Sequence, residues 1–358
     1  MGVFYIIISA VLFLMQFTIG AWLVRCYPAM GVKWPLLVAL LCTVVMLFGF
    51  TYTHNHQTGS LASVLYYVSY TWFGFVFLAF WICAGLAIVC KILTWSHVTT
   101  DWMGPATFVI WAVVFVMALW GGFSLPKVKH ITVKIPGAPQ MKLALLADTH
   151  LGMGVSLSRF DKALRKIEAE NPDALLVLGD VFEYGPHRDS YANRLAQVKT
   201  TQGTYGVFGN HEYYVGYSNS KDFFEKAGIK LLENTSTVMP NGVQIVGLKD
   251  IKTAGVRAQD VMDILAELDK NSPIILLSHT PLYAQEVAQN GGSLMVSGHT
   301  HNGQLWPFTY LVKMHFPRIY GMYDVSGMPF YITSGVFYWG IPLRFLAPSE
   351  IAIIEVNS

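Results

Sequence analysis

The sequence predicts a four-helix transmembrane region followed by a globular α/β domain, and two observations carry this prediction. Hydrophobic residues make up 53% of the 358 residues and charged residues only 13%, which is too apolar for an ordinary soluble protein. The charges are also unevenly placed, because residues 127–358 hold 21 basic and 21 acidic side chains. Residues 1–126 hold only four charges: Arg25, Lys33, Lys91 and Asp101. The chain therefore divides near residue 126 into a transmembrane domain and a second domain at 127–358.

Four apolar stretches in the first part predict a multi-pass integral membrane protein. They lie at 3–24, 36–52, 61–90 and 103–125. Each is long enough to cross a hydrocarbon core about 30 Å thick, which takes roughly 17 to 25 residues of helix. The third stretch exceeds that length, so we expect it to tilt or to protrude from the bilayer.

The basic residues between the spans predict the orientation of the second domain. Four spans place the amino terminus and the second domain on one side of the membrane. Three basic residues then fall on the other side: Arg25, Lys33 and Lys91. Because basic residues of short loops are retained in the cytoplasm, they favour an extracytoplasmic second domain. Three lysines after the last span favour the reverse: Lys127, Lys129 and Lys134.

The second domain alternates short apolar runs with amphipathic segments, as βαβ units do. Residues 141–148 (MKLALLAD) predict a buried strand, 157–170 a helix and 174–180 (ALLVLGD) the next strand. Further strands are predicted at 204–210, 243–248, 273–279, 294–301, 330–335 and 350–356, with helices near 221–227 and 260–268. This pattern predicts one α/β domain of ordinary size.

Most predicted strands of this domain end in a residue that can bind a metal ion. These residues are Asp148, His150, Asp180, Asn210, His211, His279, His299 and His301. Because ligands of open α/β sheets bind beyond the carboxyl ends of the strands, we expect these side chains to converge. Three glycines are expected to let the chain turn where a strand delivers its ligand: Gly179, Gly209 and Gly298.

The residue types indicate the kind of metal site. Carboxylates, imidazoles and one carboxamide without sulfur suit hard to borderline divalent ions; manganese is the first expectation, with iron, zinc or magnesium as alternatives. Seven or eight ligands exceed the needs of one ion. They suit two ions about 3.5 to 4 Å apart, an arrangement typical of phosphate ester hydrolysis. All four cysteines lie in or beside the apolar stretches: Cys26, Cys42, Cys83 and Cys90.

The ordered series D-x-H, G-D, G-N-H-E, S-H and G-H-T-H resembles the calcineurin-like metallophosphoesterase superfamily. The resemblance runs from about Lys127 to the carboxyl terminus, and the segment GVFYWGIPLRFLAPSEI at 335–351 resembles the membrane-anchored branch, whose members are transmembrane proteins with a metallophosphoesterase domain. It implies a four-layer αββα sandwich with two mixed sheets. It also implies metal ligands: Asp148, His150 and His301 for one ion, Asn210, His279 and His299 for the other, and Asp180 as the bridge.

The same resemblance implies two catalytic residues that do not bind metal. His211 would hold the substrate phosphate and protonate the leaving alkoxide as a general acid. Glu212 takes a place often filled by Asp in the family and would orient the imidazole of His211. The activity expected from this set is that of a metal-dependent phosphoric ester hydrolase.

Charge and aromatic content narrow the substrate and the partners. Equal numbers of basic and acidic residues, without a basic run, argue against a nucleic-acid partner. The stretch 305–323 mixes aromatic with basic residues, which predicts either contact with the membrane interface or a loop packed over the sheet. Since an active site tethered to a bilayer meets membrane-confined substrates at high effective concentration, we expect a phosphodiester or pyrophosphate in a lipid or lipid-linked molecule.

Two other functions remain open from the sequence. One is hydrolysis of a UDP-diacylglucosamine-type pyrophosphate of lipid A biosynthesis, which requires a cytoplasmic active site. The other is a non-catalytic membrane scaffold that retains the fold. The complete set of ligand positions and the presence of His211 argue against the scaffold.

Overall fold

Four long helices begin the chain in the computed structural model, which describes the backbone of residues 2–358 and the side chains from Ile7 onward. They are α1 (Gly2–Cys26), α2 (Lys33–Asn55), α3 (Ser60–Trp95) and α4 (Met103–Phe123), with a 3-10 turn at Pro28–Met30 between the first two. All four are long and apolar enough to cross a membrane. Each predicted span matches one helix, which confirms the helical first part of the predicted fold.

Two later segments of the chain belong to the same compact unit as these helices. The unit comprises Met1–Phe123, Leu305–Pro307 and Gly340–Leu346. The hydroxyl of Tyr66 donates a hydrogen bond of 2.6 Å to the carbonyl of Gly340. The backbone N–H of Arg344 donates one of 2.9 Å to the carbonyl of Ala118. A division of the chain at residue 126 therefore does not describe the whole helical unit.

The second unit comprises Ser124–Gln304, Phe308–Trp339 and Ala347–Ser358, and it contains two six-stranded sheets. Its strands are β1 (Lys127–Lys134), β2 (Met141–Leu146), β3 (Ala174–Val177), β4 (Gly203–Gly206), β5 (Lys230–Leu231), β6 (Thr235–Val238), β7 (Gln244–Gly247), β8 (Ile274–Leu277), β9 (Leu294–Ser297), β10 (Gly321–Val325), β11 (Met328–Ile332) and β12 (Glu350–Asn357). The orders are β1-β12-β2-β3-β4-β5 and β10-β11-β9-β8-β7-β6. Both sheets are mixed, since β12 runs antiparallel to β2 and β6 antiparallel to β7.

Helices cover the outer faces of both sheets. They are α5 (Leu157–Ala169), α6 (Arg188–Leu195), α7 (Asn210–Val215), α8 (Tyr217–Lys226), α9 (Ala258–Ala266) and α10 (Ala284–Gln289), while a further helix, α11 (Phe308–His315), has no buried residue. Alternation along the strands builds three cores. In β2, Leu143 and Leu145 point into the core between the sheets, whereas Ala144 and Leu146 face helices α5, α6 and α8. A third core lies between the second sheet and helices α9 and α10. This four-layer αββα arrangement confirms the predicted fold class.

The strands that carry candidate ligands end earlier than the sequence predicts. Strand β2 ends at Leu146 rather than at residue 148, and β3 ends at Val177 rather than at residue 180. The reason is local, because Asp148 and Asp180 adopt left-handed backbone angles, with φ of 54° and 51°. Such residues cannot continue a strand, so the chain turns where the ligand side chains begin.

Candidate metal centre

The predicted ligands lie on five loops at the carboxyl ends of strands from both sheets. The loops after β2 and β3 carry Asp148 and His150, then Asp180, and the loop after β4 leads directly into Asn210, the first residue of α7. The loops after β8 and β9 carry His279, then His299 and His301. The structure places them in two groups of donor atoms that lie within 4.8 Å of one another: Asp148, His150 and His301, and Asp180, His279 and His299.

The first group is centred on two facing imidazoles. The Nε2 atoms of His150 and His301 lie 3.1 Å apart, and His301 Nε2 lies 3.4 Å from Asp148 Oδ1. The buried carboxylate of Asp148 also accepts hydrogen bonds from the backbone N–H of His299, at 3.1 and 3.2 Å. This contact connects the first group to a residue of the second.

The second group is organised around His279, which is fully buried. Its Nδ1 lies 2.7 Å from the carbonyl of Leu178, and a hydrogen bond to that carbonyl fixes the proton on Nδ1. Its Nε2 lies 3.2 Å from Asp180 Oδ2 and 3.1 Å from His299 Nδ1. The Nε2 atom of His279 therefore points into the site, where a metal ion would take the place of any proton on it.

The electrostatics of the second group favour a positive charge. Burial lowers the pKa of His279, but the Asp180 and Asp148 carboxylates outweigh burial and raise it to about 10. Burial and the neighbouring His279 together lower the pKa of His299 to about 4. The carboxylates thus attract a cation, while at least one of the two imidazoles stays neutral and keeps a lone pair for it.

The carboxylate of Asp180 connects the two groups. Its Oδ2 lies 3.2 Å from His279 Nε2 and 3.8 Å from His150 Nε2. Its Oδ1 accepts a hydrogen bond of 2.9 Å from the backbone N–H of His211. Asp180 thus faces imidazoles of both groups, whereas Asp148 reaches the second group at the backbone of His299; the position of Asp180 is the geometry expected of a bridging ligand.

The Asn210 side chain supplies an independent test of a metal site. Its Oδ1 is buried and has no hydrogen-bond partner within the part of the chain that the structure describes. Because a buried acceptor without a partner is costly, a cation at this position would satisfy it. The residues therefore fit two divalent ions, the first held by Asp148, His150 and His301, the second by Asn210, His279 and His299, with Asp180 between them.

A carboxylate that the motifs do not include, Glu183, lies between two of these imidazoles. Its Oε1 is 2.7 Å from His150 Nδ1 and 2.6 Å from His211 Nδ1. Burial raises the pKa of Glu183, but its contacts with His150 and His211 outweigh burial and lower it to about 2. Burial lowers the pKa of His211, whereas Asp180 and Glu183 raise it to about 9. The only sequence signal for Glu183 is its place three residues after Asp180.

The structure corrects the contact predicted for Glu212. The carboxylate at contact distance from the His211 imidazole is that of Glu183. Both oxygens of the buried Glu212 accept backbone hydrogen bonds instead: Oε1 from Val181 at 2.7 Å, and Oε2 from Asp180 and Gly209 at 2.8 and 2.7 Å. Glu212 therefore joins the loops after β3 and β4 and fixes the backbone of the Asp180 loop.

The glycines beside the ligands differ in what they require. Gly179 has a φ of +86°, which is the left-handed conformation expected of a sharp turn. Gly209 is extended, and it is needed for space: a Cβ there would lie 2.2 Å from Asp180 Oδ1. At Gly209 and Gly298, glycine is needed for space rather than for the predicted turn, because a ligand carboxylate packs closely against each of them.

Comparison with known proteins agrees with this arrangement. The family model described as calcineurin-like phosphoesterase matches residues 141–303, a range that contains every predicted ligand. A metallophosphoesterase of Campylobacter jejuni is 34% identical over 65% of this chain and 63% of its own length. The transmembrane protein with metallophosphoesterase domain of Danio rerio is 32% identical over 70% of this chain and 61% of its own length.

A third relative is matched over nearly its whole length. The metallophosphoesterase of Aquifex aeolicus is 31% identical, and the match covers 68% of this chain and 98% of the relative. The chain spans less than two thirds of the length of the Campylobacter and Danio proteins. The family match, the Aquifex relative and the shared-carboxylate geometry lead to one conclusion: this chain belongs to the calcineurin-like metallophosphoesterase family.

Proposed function

We propose that the protein is a membrane-bound hydrolase of a phosphodiester or pyrophosphate bond in a lipid or lipid-linked molecule. The observation that carries the hydrolytic part is the Asp180 carboxylate, which faces His279 at 3.2 Å and His150 at 3.8 Å. A carboxylate shared by two groups of metal donors is the arrangement of two-metal phosphoesterases. The buried Oδ1 of Asn210, which has no hydrogen-bond partner among the described residues, independently supports a metal site.

Two divalent ions, when bound, would supply a hydroxide nucleophile and neutralise charge on the phosphoryl oxygens. The chain's own residues perform the remaining tasks. The Nε2 of His211 lies 4.0 Å from Asp180 Oδ2, outside both groups of donors, so His211 can hold a phosphoryl oxygen and then protonate the leaving alkoxide. Glu183 holds the other ring nitrogen of His211. The backbone hydrogen bonds to Glu212 keep the Asp180 loop in place.

The lipid part of the proposal has two supports. Helix α4 ends at Phe123 and strand β1 begins at Lys127, so only three residues separate a membrane-spanning helix from the catalytic domain. Helix α11 has no buried residue, and it exposes Leu311 and Met314 to 48% and 79% beside Lys313. Apolar and basic side chains on one exposed helix favour the membrane interface, where the chain would meet lipid headgroups.

We further propose that the catalytic domain faces away from the cytoplasm, as the basic residues between the spans favour. The protein with Ser358 replaced by cysteine can be treated with a membrane-impermeant maleimide in intact cells. We expect Ser358→Cys to be labelled and the natural protein, whose four cysteines lie within or at the ends of the helices, to remain unlabelled. Labelling only after the cells are opened would place the domain in the cytoplasm, as the lipid A reaction requires.

Hydrolysis itself is tested with the full-length protein in detergent. We expect Mn²⁺-dependent cleavage of an aryl phosphodiester and of a pyrophosphate-linked lipid, and loss of both with a chelator. Asp180→Asn should bind less metal and lose most of the activity, because its shared charge is gone. Full turnover by Asp180→Asn would refute the assignment of the bridging carboxylate. Cleavage of the aryl ester but not of the lipid would support the hydrolase assignment and reject the lipid substrate.

A further inference from the structure

The loop after β7 differs from the ligand loops because it supplies no predicted metal ligand. It contains instead the sequence LKDIKTAG at 248–255, which includes Lys252. Strand β7 runs parallel to β8, and β8 runs parallel to β9. The β7 loop therefore opens at the same edge of the second sheet as His279 and His299, so Lys252 lies among the loops that build the metal centre.

The β7 loop is fixed against a ligand loop by Asp250, which is fully buried. Its Oδ1 accepts a hydrogen bond of 2.5 Å from the hydroxyl of Thr280, the residue after His279. Its Oδ2 accepts one of 2.9 Å from the backbone N–H of Thr253. These bonds hold the backbone beside Lys252 in a constant position relative to His279.

The side chain of Lys252 is positioned by an aromatic ring. Its Nζ lies 4.2 Å from the ring centroid of Phe316, a cation–π contact. The Phe316 ring in turn lies 5.2 Å from the imidazole of His299, edge to face. Lys252 is exposed, and it forms no ion pair with a carboxylate among residues 7–358. The ring therefore holds the ammonium beside the residue that packs against His299, without neutralising its charge.

The charge of Lys252 lies close to the metal centre, because its Nζ sits over the ring of Phe316 and that ring packs against the His299 imidazole. An ammonium beside a cation-binding site raises the local positive charge, which is unfavourable unless an anion shares the space. The phosphate that reacts would bind at the metal ions and balance their charge. The ammonium of Lys252 has no carboxylate partner among the described residues, so it can pair with a second anion beside that phosphate.

We propose that Lys252 binds a second anionic group of the substrate, next to the phosphate that reacts. The proposal deepens the function proposed above and rests on it. A pyrophosphate, whose second phosphate adjoins the first, carries such a group, and a simple phosphodiester between two neutral alcohols does not. Lys252 therefore selects the pyrophosphate from the two bond types proposed above.

Two inhibitors that resist hydrolysis test the proposal, methylenediphosphonate and methylphosphonate, with the full-length protein and Mn²⁺. Lys252→Gln should weaken inhibition by the diphosphonate at least about tenfold, as expected for loss of one charge-assisted contact, and leave inhibition by methylphosphonate nearly unchanged. Lys252→Arg should preserve most of the preference for the diphosphonate. Lys249→Gln, on the same loop, removes a matched charge and should behave as the unaltered protein.

The outcomes separate the two proposals. Equal weakening of both inhibitors by Lys252→Gln, or weakening of neither, would overturn the role of Lys252. The same weakening in Lys249→Gln would also overturn it, because the effect would then come from net charge alone. If the unaltered protein cleaves no ester, the proposed function fails. Calorimetric titration of the two phosphonates into the Mn²⁺-loaded protein would still measure whether Lys252 binds the second anion.

Discussion

The packing of Gly209 against Asp180 leads to a prediction whose size follows from the structure. A Cβ at residue 209 would lie 2.2 Å from Asp180 Oδ1, whereas ordinary contact begins near 3.4 Å. The carboxylate would have to move by the difference, 1.2 Å. The Gly209 backbone cannot easily yield, because its N–H donates a hydrogen bond of 2.7 Å to Glu212. The same Cβ would lie 2.8 Å from ring atoms of His279, and because a φ of −94° suits alanine, these contacts account for the effect.

Gly209→Ala should therefore lower both metal content and activity. A displacement of about 1 Å in a catalytic group costs about 100-fold in rate, and overpacking of a filled site costs about 1–3 kcal/mol of stability. The assays are metal analysis of the purified protein, aryl phosphodiester hydrolysis and thermal unfolding in detergent. The control is Gly85→Ala, because a Cβ at residue 85 meets no atom within 4 Å. If Gly209→Ala keeps its metal and loses less than about threefold in rate, the space argument fails.

Three other substitutions test single contacts. His211→Ala should keep both metals but slow alkyl esters by about 10² to 10⁴, and nitrophenyl esters by less; equal losses would exclude a general acid. Glu183→Gln should reduce metal affinity or activity about 10- to 100-fold, whereas unchanged metal titration and kinetics would leave Glu183 without a role. Arg194 and Arg165 hold the pKa of Asp161 below its ordinary value, so the fold loses stability as the pH falls below about 4. Asp161→Asn should reduce that loss of stability in acid unfolding. An acid unfolding profile equal to that of the unaltered protein would refute this prediction.

The sequence predicts those features that repeat along the chain. The ligand positions could be predicted because a run of apolar residues ending in Asp, Asn or His recurs at several strand ends, and parallel strands bring such ends together. Asp148 and Asp180 also show the limit of that reasoning. The run of apolar residues predicts a strand that continues to the ligand. In the structure the strand ends earlier, because the ligand residue has a left-handed backbone conformation.

Features that depend on a single tertiary contact could not be predicted in this way. Glu183 and Glu212 are both acidic residues near a strand end, and the motif favoured Glu212 as the partner of His211. The choice between them depends on which backbone N–H groups are available as donors, and three of these groups donate to the Glu212 carboxylate. Lys252 has no motif at all, since its position follows from the ring of Phe316, 64 residues later in the chain.

The two late segments of the helical unit alter how the membrane half can be tested. Leu305 and Leu343 are 4% and 0% exposed in a cluster with Phe77, Leu78 and Ala118. A protein beginning at Lys127 would lack these helices and expose both leucines, each worth about 1.5–3 kcal/mol of burial. Such a protein should self-associate, and its low activity would say nothing about substrate binding.

The informative truncated protein therefore begins at Lys127 and carries Leu305→Gln and Leu343→Gln. We expect it to be monomeric and to hydrolyse a soluble aryl ester as well as the full chain does, because the metal donors all lie in the second unit. It should lose at least about tenfold on a lipid substrate in mixed micelles, about 1.4 kcal/mol of transition-state binding, if the helices help to bind the acyl chains. If the truncated and full-length proteins hydrolyse the lipid at equal rates, the four helices serve only as a membrane anchor.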